Sequence, residues 1–271
     1  MQAQLFYRDV CDVSYFPWMS INMPTAIACI YTPEGFVISA DCKQGNKLTG
    51  AYSESATKIF RIGNSRLAYA VAGDVEIPLT EHAQFQFLRV AAEVFEKTPH
   101  GEFSQYTHEI KARISKSLNQ ARKAAQAPEI SAWSRSPGEL KVVLILAGYS
   151  SSNAPERRVF LLHPERPHFG SWEGGVESSE HRWFIGPEMI QAILRSGSDK
   201  RLAKYKIPDE EPSTIAEAKA TAESYIRAFS DSEAREIDPD GCATVGERIH
   251  MATITRSEGF NWVDGFGPPP R

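Results

Sequence analysis

Several large protein classes are excluded by what the chain lacks. No apolar run approaches the roughly 18 to 20 residues that a membrane span needs, and the N-terminus has no basic-then-apolar layout of a secretory leader. A cytoplasmic protein without a membrane partner is expected. Cysteine is scarce. Cys11, Cys29, Cys42 and Cys242 form no C-x-x-C pair, which argues against a zinc knuckle or a disulfide scaffold and leaves small, reduced thiols. His163, His168 and His181 fall into no H-E-x-x-H or comparable ligand spacing, so no metal and no cofactor are expected. Blocks of like charge are missing too. With a net charge of -4, a pI near 6.0 and scattered Lys and Arg, the chain carries no electrostatic footprint for nucleic acid. Ser150-Ser151-Ser152 lacks the G-x-S-x-G elbow of a serine hydrolase, and no histidine is placed by sequence to activate Cys42.

What is present is ordinary globular material: 271 residues, 42% hydrophobic and 24% charged, enough to bury the core of one layered α/β domain. Residues 1 to 24 contain Leu5, Phe6, Tyr7, Tyr15, Phe16 and Trp18, while Pro17 and Pro24 discourage a long helix. They read as an N-terminal extension or propeptide. The domain proper is expected over 25 to 264, with 265 to 271 as a Pro-rich tail.

Periodicity sets the order of elements. Ala26 to Tyr31 and Phe36 to Ala40 are β-rich runs joined by Thr32-Pro33-Glu34-Gly35, a hairpin signature. Thr57 to Ile62 and Leu67 to Ala72 form a second pair across Gly63-Asn64-Ser65. The period then changes to that of helices. Ala83, Phe87, Val90, Ala91 and Val94 share one face, and Phe103, Tyr106, Ile110, Ile114, Leu118 and Ala121 another, with Pro99-His100-Gly101 as the break. Residues 124 to 139 read as a loop. Strands resume at Lys141 to Ala147, Arg158 to His163, near His168 to Trp172 and at Arg182 to Ile185. Gly186-Pro187-Glu188 opens a helix to Ser196 that Gly197 ends, and Thr214-Ile215-Ala216-Glu217 is a capping box opening a helix through Phe229. Ile249 to Thr255 and Phe260 to Val263 predict a last hairpin across Ser257-Glu258-Gly259.

Strand blocks alternating with helix pairs do not suit a parallel βαβ sheet. They predict an α+β fold, a four-layer αββα sandwich of two antiparallel sheets with helices outside.

Within that order, Thr25, Asp41, Lys58 and Gly73 place a hydroxyl, a carboxylate, an amine and a glycine near four strand ends. The runs TAIACIYTPEGFVISADCK, ATKIFRI and AYAVAGDVE carry a resemblance to proteasome β-type subunits and their bacterial, HslV-like relatives, the N-terminal-nucleophile (Ntn) threonine hydrolases. Counted from Thr25, Asp41 falls at that family's spacing, and Lys58 and Gly73 follow with a displacement of about one residue. The resemblance implies Thr25 as nucleophile and Lys58 beside it, oriented by Asp41. It also implies the Gly73 N–H as oxyanion donor, Val71 and Gly45 as substrate-binding positions, and Thr244 and Asp240 as auxiliary residues. A threonine hydroxyl needs a base, and its own α-amine, with a reference pKa of about 7.7 to 8.0, suits that task once free. Peptide or protein substrates and a homo-oligomeric ring are implied, and an ATPase partner is left open. The chain departs from the pattern at Pro24, where self-processing relatives carry glycine, and at Pro187, where they carry serine. Asp240 to Thr244 is also one residue longer than the usual acid-to-hydroxyl spacing. These departures motivate an alternative reading, an unprocessed, non-catalytic subunit with an assembly or binding role.

Overall fold

The structure, a computed structural model, describes residues 25–45, 52–63, 66–73, 75–78, 84–97, 103–124, 142–162, 170–175 and 181–268. The expected N-terminal extension, most of the 124–139 loop, the Gly63-Asn64-Ser65 turn beyond Gly63 and the end of the Pro-rich tail lie outside those residues.

The predicted first hairpin is β1 (Ile27–Thr32) and β2 (Gly35–Asp41). Thr32 closes its turn by accepting the Gly35 N–H at 3.3 Å. Two short strands not predicted from the sequence, β3 (Gln44–Gly45) and β4 (Tyr52–Ser53), follow. Then come β5 (Ile59–Arg61), β6 (Leu67–Gly73) and a small pair, β7 (Glu76–Pro78) with β8 (Gln84–Gln86). The strand β8 takes residues assigned above to the first helix, so α1 runs only Phe87–Lys97 and is followed by α2 (Phe103–Ala124). Four strands come next: β9 (Val142–Tyr149), β10 (Pro155–Leu162), β11 (Gly170–Gly175) and β12 (Arg182–Ile185). After them stand α3 (Glu188–Ser196), a 3-10 helix (Lys200–Tyr205), α4 (Ile215–Ala228), α5 (Ser232–Ile237) and α6 (Pro239–Ala243). The last hairpin is β13 (Ile249–Thr255) with β14 (Gly259–Trp262).

These strands make a mixed α+β fold with two five-stranded sheets, ordered β12-β1-β2-β13-β14 and β11-β10-β9-β6-β5. Every pairing in them is antiparallel. Alternation along a strand sends successive side chains to opposite faces, and here both faces are buried. On β1, Ile27 and Cys29 join a cluster with Ala70 of β6, Ile145 of β9 and Ile254 of β13. Ala28 and Ile30 instead join a cluster with Leu194 of α3 and Ala222 and Ile226 of α4. On β6 and β9 the other faces, through Tyr69, Val71, Leu144 and Leu146, pack with Phe87, Val94, Tyr106 and Ile110 of α1 and α2. Burying one such large apolar side chain contributes about 1.5 to 3 kcal/mol, so these three clusters hold the strand ends in place.

Helix α4 starts where the capping-box pattern puts it. The Thr214 hydroxyl accepts from the Glu217 N–H at 3.2 Å, and the Glu217 carboxylate reaches back over the helix start, accepting the Ser213 N–H at 2.8 Å. A third free N–H of that helix end, on Ile215, is taken by Glu34 from the β1–β2 turn at 2.8 Å, tying the first hairpin to α4.

Candidate active site

Three of the residues singled out in the sequence meet at one end of the sheets. Thr25 stands just before β1, Asp41 ends β2, and Lys58 precedes β5. The main chain fixes each: the Asp41 N–H donates to the Ala26 carbonyl at 3.1 Å, and the Lys58 carbonyl accepts from the Val71 N–H at 3.0 Å. All three side chains belong to buried residues. Lys58 Nζ donates to Thr25 Oγ1 at 3.1 Å and to Asp41 Oδ1 at 2.9 Å.

An ion pair taken out of water loses hydration that its Coulomb attraction restores only when the remaining lone pairs are also satisfied. Asp41 meets that condition. Besides Lys58, its Oδ1 accepts the Ala26 N–H at 2.9 Å, and its Oδ2 accepts the N–H groups of Lys43 and Gly246, both at 3.0 Å. Three backbone donors from three chain segments therefore aim the carboxylate, and the carboxylate aims the amine at the threonine hydroxyl. Gly246 is required for its approach. A Cβ there would stand 2.9 Å from the Lys43 nitrogen and 2.7 Å from Glu54 Oε2, closer than side-chain atoms pack.

The other expected positions are more scattered. Gly73 ends β6 with φ +91°, a left-handed conformation suited to glycine, and is half-buried. Val71 is buried, in the cluster that β6 shares with α1 and α2. Gly45 pairs with the exposed Tyr52, over whose ring Lys43 Nζ lies 4.8 Å from the centroid. The Thr244 hydroxyl donates to the Gly241 carbonyl at 2.6 Å, and Asp240 is exposed on the first turn of α6. Neither is hydrogen-bonded to Thr25, Asp41 or Lys58. The acid at the head of α6 that makes a structural bond is Asp238, whose Oδ1 accepts the Gly241 N–H at 2.9 Å. Pro187 is the residue before α3 and supplies no side-chain cap.

Sequence reasoning missed the backbone donors of Ala26, Lys43 and Gly246, which residue types do not reveal. It also missed His250. That histidine is in register with Ala40 on the neighbouring strand, is fully buried, and has no hydrogen-bond partner for either ring nitrogen among the described residues. Burial, reinforced by the nearby Arg248 cation, holds the imidazole below the ordinary histidine pKa. Its strand also pairs beside Cys42, whose N–H donates to the Arg248 carbonyl at 3.0 Å. A Cys42–His250 nucleophile still does not follow. Burial first, and the Asp41 charge second, push the Cys42 thiol up to about 12, so it has negligible thiolate at neutral pH.

Among the described residues no group of three or more His, Cys, Asp or Glu is arranged to hold a metal ion, and no helix is long and apolar enough to cross a membrane.

No family model matches the chain, and no curated protein matches it in sequence. Solved structures do match in fold. The Anbu (Gly-1) mutant from Hyphomicrobium sp. strain MC1 aligns over 88% of this chain and 84% of its own, at 13% identity and a TM-score of 0.50. Anbu (ancestral beta-subunit) from Yersinia bercovieri aligns over 89% of this chain and 88% of its own, at 9% identity and a TM-score of 0.51. At such identities the likeness is one of fold: the chain's mixed α+β architecture is similar to the proteasome-β-like Ntn fold of these neighbours.

Proposed function

We propose that the chain is a proteasome-like threonine-type amide hydrolase, a peptidase, with Thr25 as its nucleophile after removal of residues 1 to 24. In this reading the two sheets and their outer helices form the four-layer αββα sandwich of Ntn hydrolases, in the manner of the HslV-like bacterial enzymes. The supporting observation is the buried hydrogen-bonded line Thr25 Oγ1, Lys58 Nζ, Asp41 Oδ1, at 3.1 and 2.9 Å. Lone surface lysines do not show such an arrangement.

Each residue then has a role. Cleavage before Thr25 frees its α-amine, which takes the Oγ1 proton as the oxygen attacks the carbonyl carbon of a peptide bond. The Lys58 ammonium lowers the proton affinity of both groups by its charge. The tetrahedral oxyanion accepts the Gly73 N–H, a donor of the kind worth about 3 to 4 kcal/mol of barrier. The C–N bond breaks, the α-ammonium returns its proton to the leaving amine, and an ester to Thr25 remains. Water, deprotonated by the same α-amine, hydrolyses that ester. Val71 and Gly45 contribute to substrate binding, and Thr244 and Asp240 are auxiliary.

The Yersinia neighbour is described as a beta-subunit. We extend that to a homo-oligomeric ring of this chain in the cytoplasm, where its reduced thiols fit. An ATPase partner is left open. Intact-mass measurement of the purified chain, combined with a peptide-hydrolysis assay, tests the proposal. Loss of residues 1 to 24 and hydrolysis abolished by Thr25→Ala are expected. A chain that stays full length and hydrolyses no peptide would overturn it and leave the assembly role instead. A monomer by light scattering at micromolar concentration would remove the ring.

A further inference from the structure

At the opposite end of the sheets, polar groups gather without the balance seen around Asp41. Tyr149 closes β9 there, Tyr31 is the penultimate residue of β1, and Arg66 and Arg256 flank β6 and β13. Six residues of extended chain, roughly 20 Å, separate Tyr31 from Thr25, so this is not the Thr25 site.

Hydrogen-bond capacity is lopsided in this cluster. The Tyr149 hydroxyl is buried and has no hydrogen-bond partner among the described residues. The Arg256 guanidinium lies over the Tyr149 ring, 5.4 Å from its centroid, where its charge and a poorly aligned donor contact act on the phenol oxygen. Arg66 donates from Nη1 to Asn153 Oδ1 and, at 3.4 Å, to the Arg256 carbonyl. Asn153 itself holds a left-handed φ of 64° in the turn between β9 and β10. The Arg66 carbonyl accepts the Tyr149 N–H at 3.0 Å, so both arginines border the end of β9, and their charges, with the Tyr31 phenol, act on the Tyr149 phenol. No carboxylate among the described residues pairs with either guanidinium; the Glu258 N–H nearby donates to Thr255 Oγ1, and its side chain forms no ion pair.

Two guanidinium groups supply ten N–H donors and no acceptor, and a phenol adds one O–H. Burial, the largest effect on Tyr149, pushes its phenol above the ordinary tyrosine pKa, so it remains a proton donor through neutral pH. A buried polar atom without a partner is uncommon in folded proteins and asks for a physical reason. Planar guanidinium forks match the paired oxygens of carboxylate and phosphate, and bonds to such anions are stronger than neutral ones.

We propose that this end of the sheets, around Tyr149, Arg66 and Arg256, is a binding site for an oxyanion, a phosphate or carboxylate group of a ligand. The anion takes the two guanidinium groups as its counter-charge and the Tyr149 hydroxyl as its buried donor. It requires neither cleavage before Thr25 nor any hydrolase activity.

The full-length chain is titrated with sodium phosphate and, separately, with sodium acetate. Ionic strength is matched with sodium chloride, and the melting temperature is the readout. A saturable rise with phosphate alone assigns a phosphate ligand, with acetate alone a carboxylate, and with both a general oxyanion site. Arg66→Gln with Arg256→Gln should weaken the effective ligand about tenfold or more, read as the anion response of the variant against its own melting in chloride, which absorbs the loss of the Arg66 bonds to Asn153 and the Arg256 carbonyl. Arg256→Gln alone, on an exposed side chain, should act in the same direction, so the answer does not hang on how the double variant folds. If neither anion raises the melting temperature beyond chloride, or both variants respond like the wild type, the site does not exist.

Discussion

The two ends of the sheets handle buried polarity in opposite ways. Around Asp41 acceptors are saturated: one carboxylate takes Lys58 Nζ and three backbone N–H groups at 2.9 to 3.0 Å. Around Tyr149 donors are in excess, with a buried hydroxyl that has no well-formed hydrogen bond among the described residues and a guanidinium over its ring. A saturated site is preorganised. Its groups are already aligned, and in the proposed hydrolysis they need no rearrangement when charge develops on Thr25 Oγ1. An unsaturated site holds its capacity open for something that arrives from outside. The two proposals thus put chemistry at one end of the fold and capture at the other, and the contrast is testable by removing polar groups from each.

The largest effect is expected at Asp41. Asp41→Ala leaves the Lys58 ammonium buried without its counter-charge and should destabilise the chain by about 3 to 5 kcal/mol, a large share of a typical domain's stability. A urea midpoint that moves by less than half of that would mean the saturated end is not the tighter one. Next comes Gly246→Ala. The added methyl cannot sit 2.9 Å from the Lys43 nitrogen, so the strand start must shift and the N–H on Asp41 Oδ2 is lost. A hydrogen bond to a charged group contributes about 1.5 to 3 kcal/mol, and a loss of about 2 is expected by the same urea measurement.

His250 sharpens the contrast along the pH axis, because it sits beside the saturated end yet has no partner itself. Its folded pKa is depressed, and the unfolded value is about 6.5. As pH falls below about 6.5 the unfolded chain takes up a proton that the folded chain refuses, so stability falls until the folded pKa is passed; above 6.5 this contribution is complete. One such proton gives a slope of at most about 1.4 kcal/mol per pH unit. His250→Leu should flatten that limb of a stability profile measured between pH 4 and 8. A limb unchanged in His250→Leu would assign the acid loss to other groups.

The strands and most helices were legible because their signals are local. Alternation in Ile27 to Ile30, helical spacing in Phe103 to Leu118 and the Thr214 to Glu217 cap depend on neighbours in sequence. The solved structures align over 88 to 89% of the chain at 9 to 13% identity, so likeness of fold survives where residue identity does not. The β3–β4 and β7–β8 pairs were not legible, being two or three residues each and too short for a period to register. At the site, Thr25, Asp41 and Lys58 stood out through residue type and spacing. The Gly246 N–H on Asp41 did not, since it joins positions 205 residues apart through a main-chain atom that every residue but proline has. His250 was invisible for a related reason: its isolation is a property of strands β2 and β14 around it, not of its sequence neighbours.

The smallest effect, and the one that separates the two ends most directly, is expected from Tyr149→Phe. Deleting a polar atom at Asp41 uncovers a buried charge, but deleting the Tyr149 hydroxyl removes a group that has lost its water and gained no partner. Desolvating an unpaired hydroxyl costs about 1 to 3 kcal/mol on the scale of protein variants, partly offset here by the approach of the Arg256 guanidinium. In chloride buffer the variant should therefore unfold at the same urea concentration as the wild type or slightly higher, by at most about 1 kcal/mol. Where the anion is bound the sign reverses, because the hydroxyl then has an acceptor to lose, and the phosphate or acetate response should shrink in the same variant. Destabilisation by more than about 1 kcal/mol in chloride would show that Tyr149 is already satisfied in the free protein, and the two ends would then be alike.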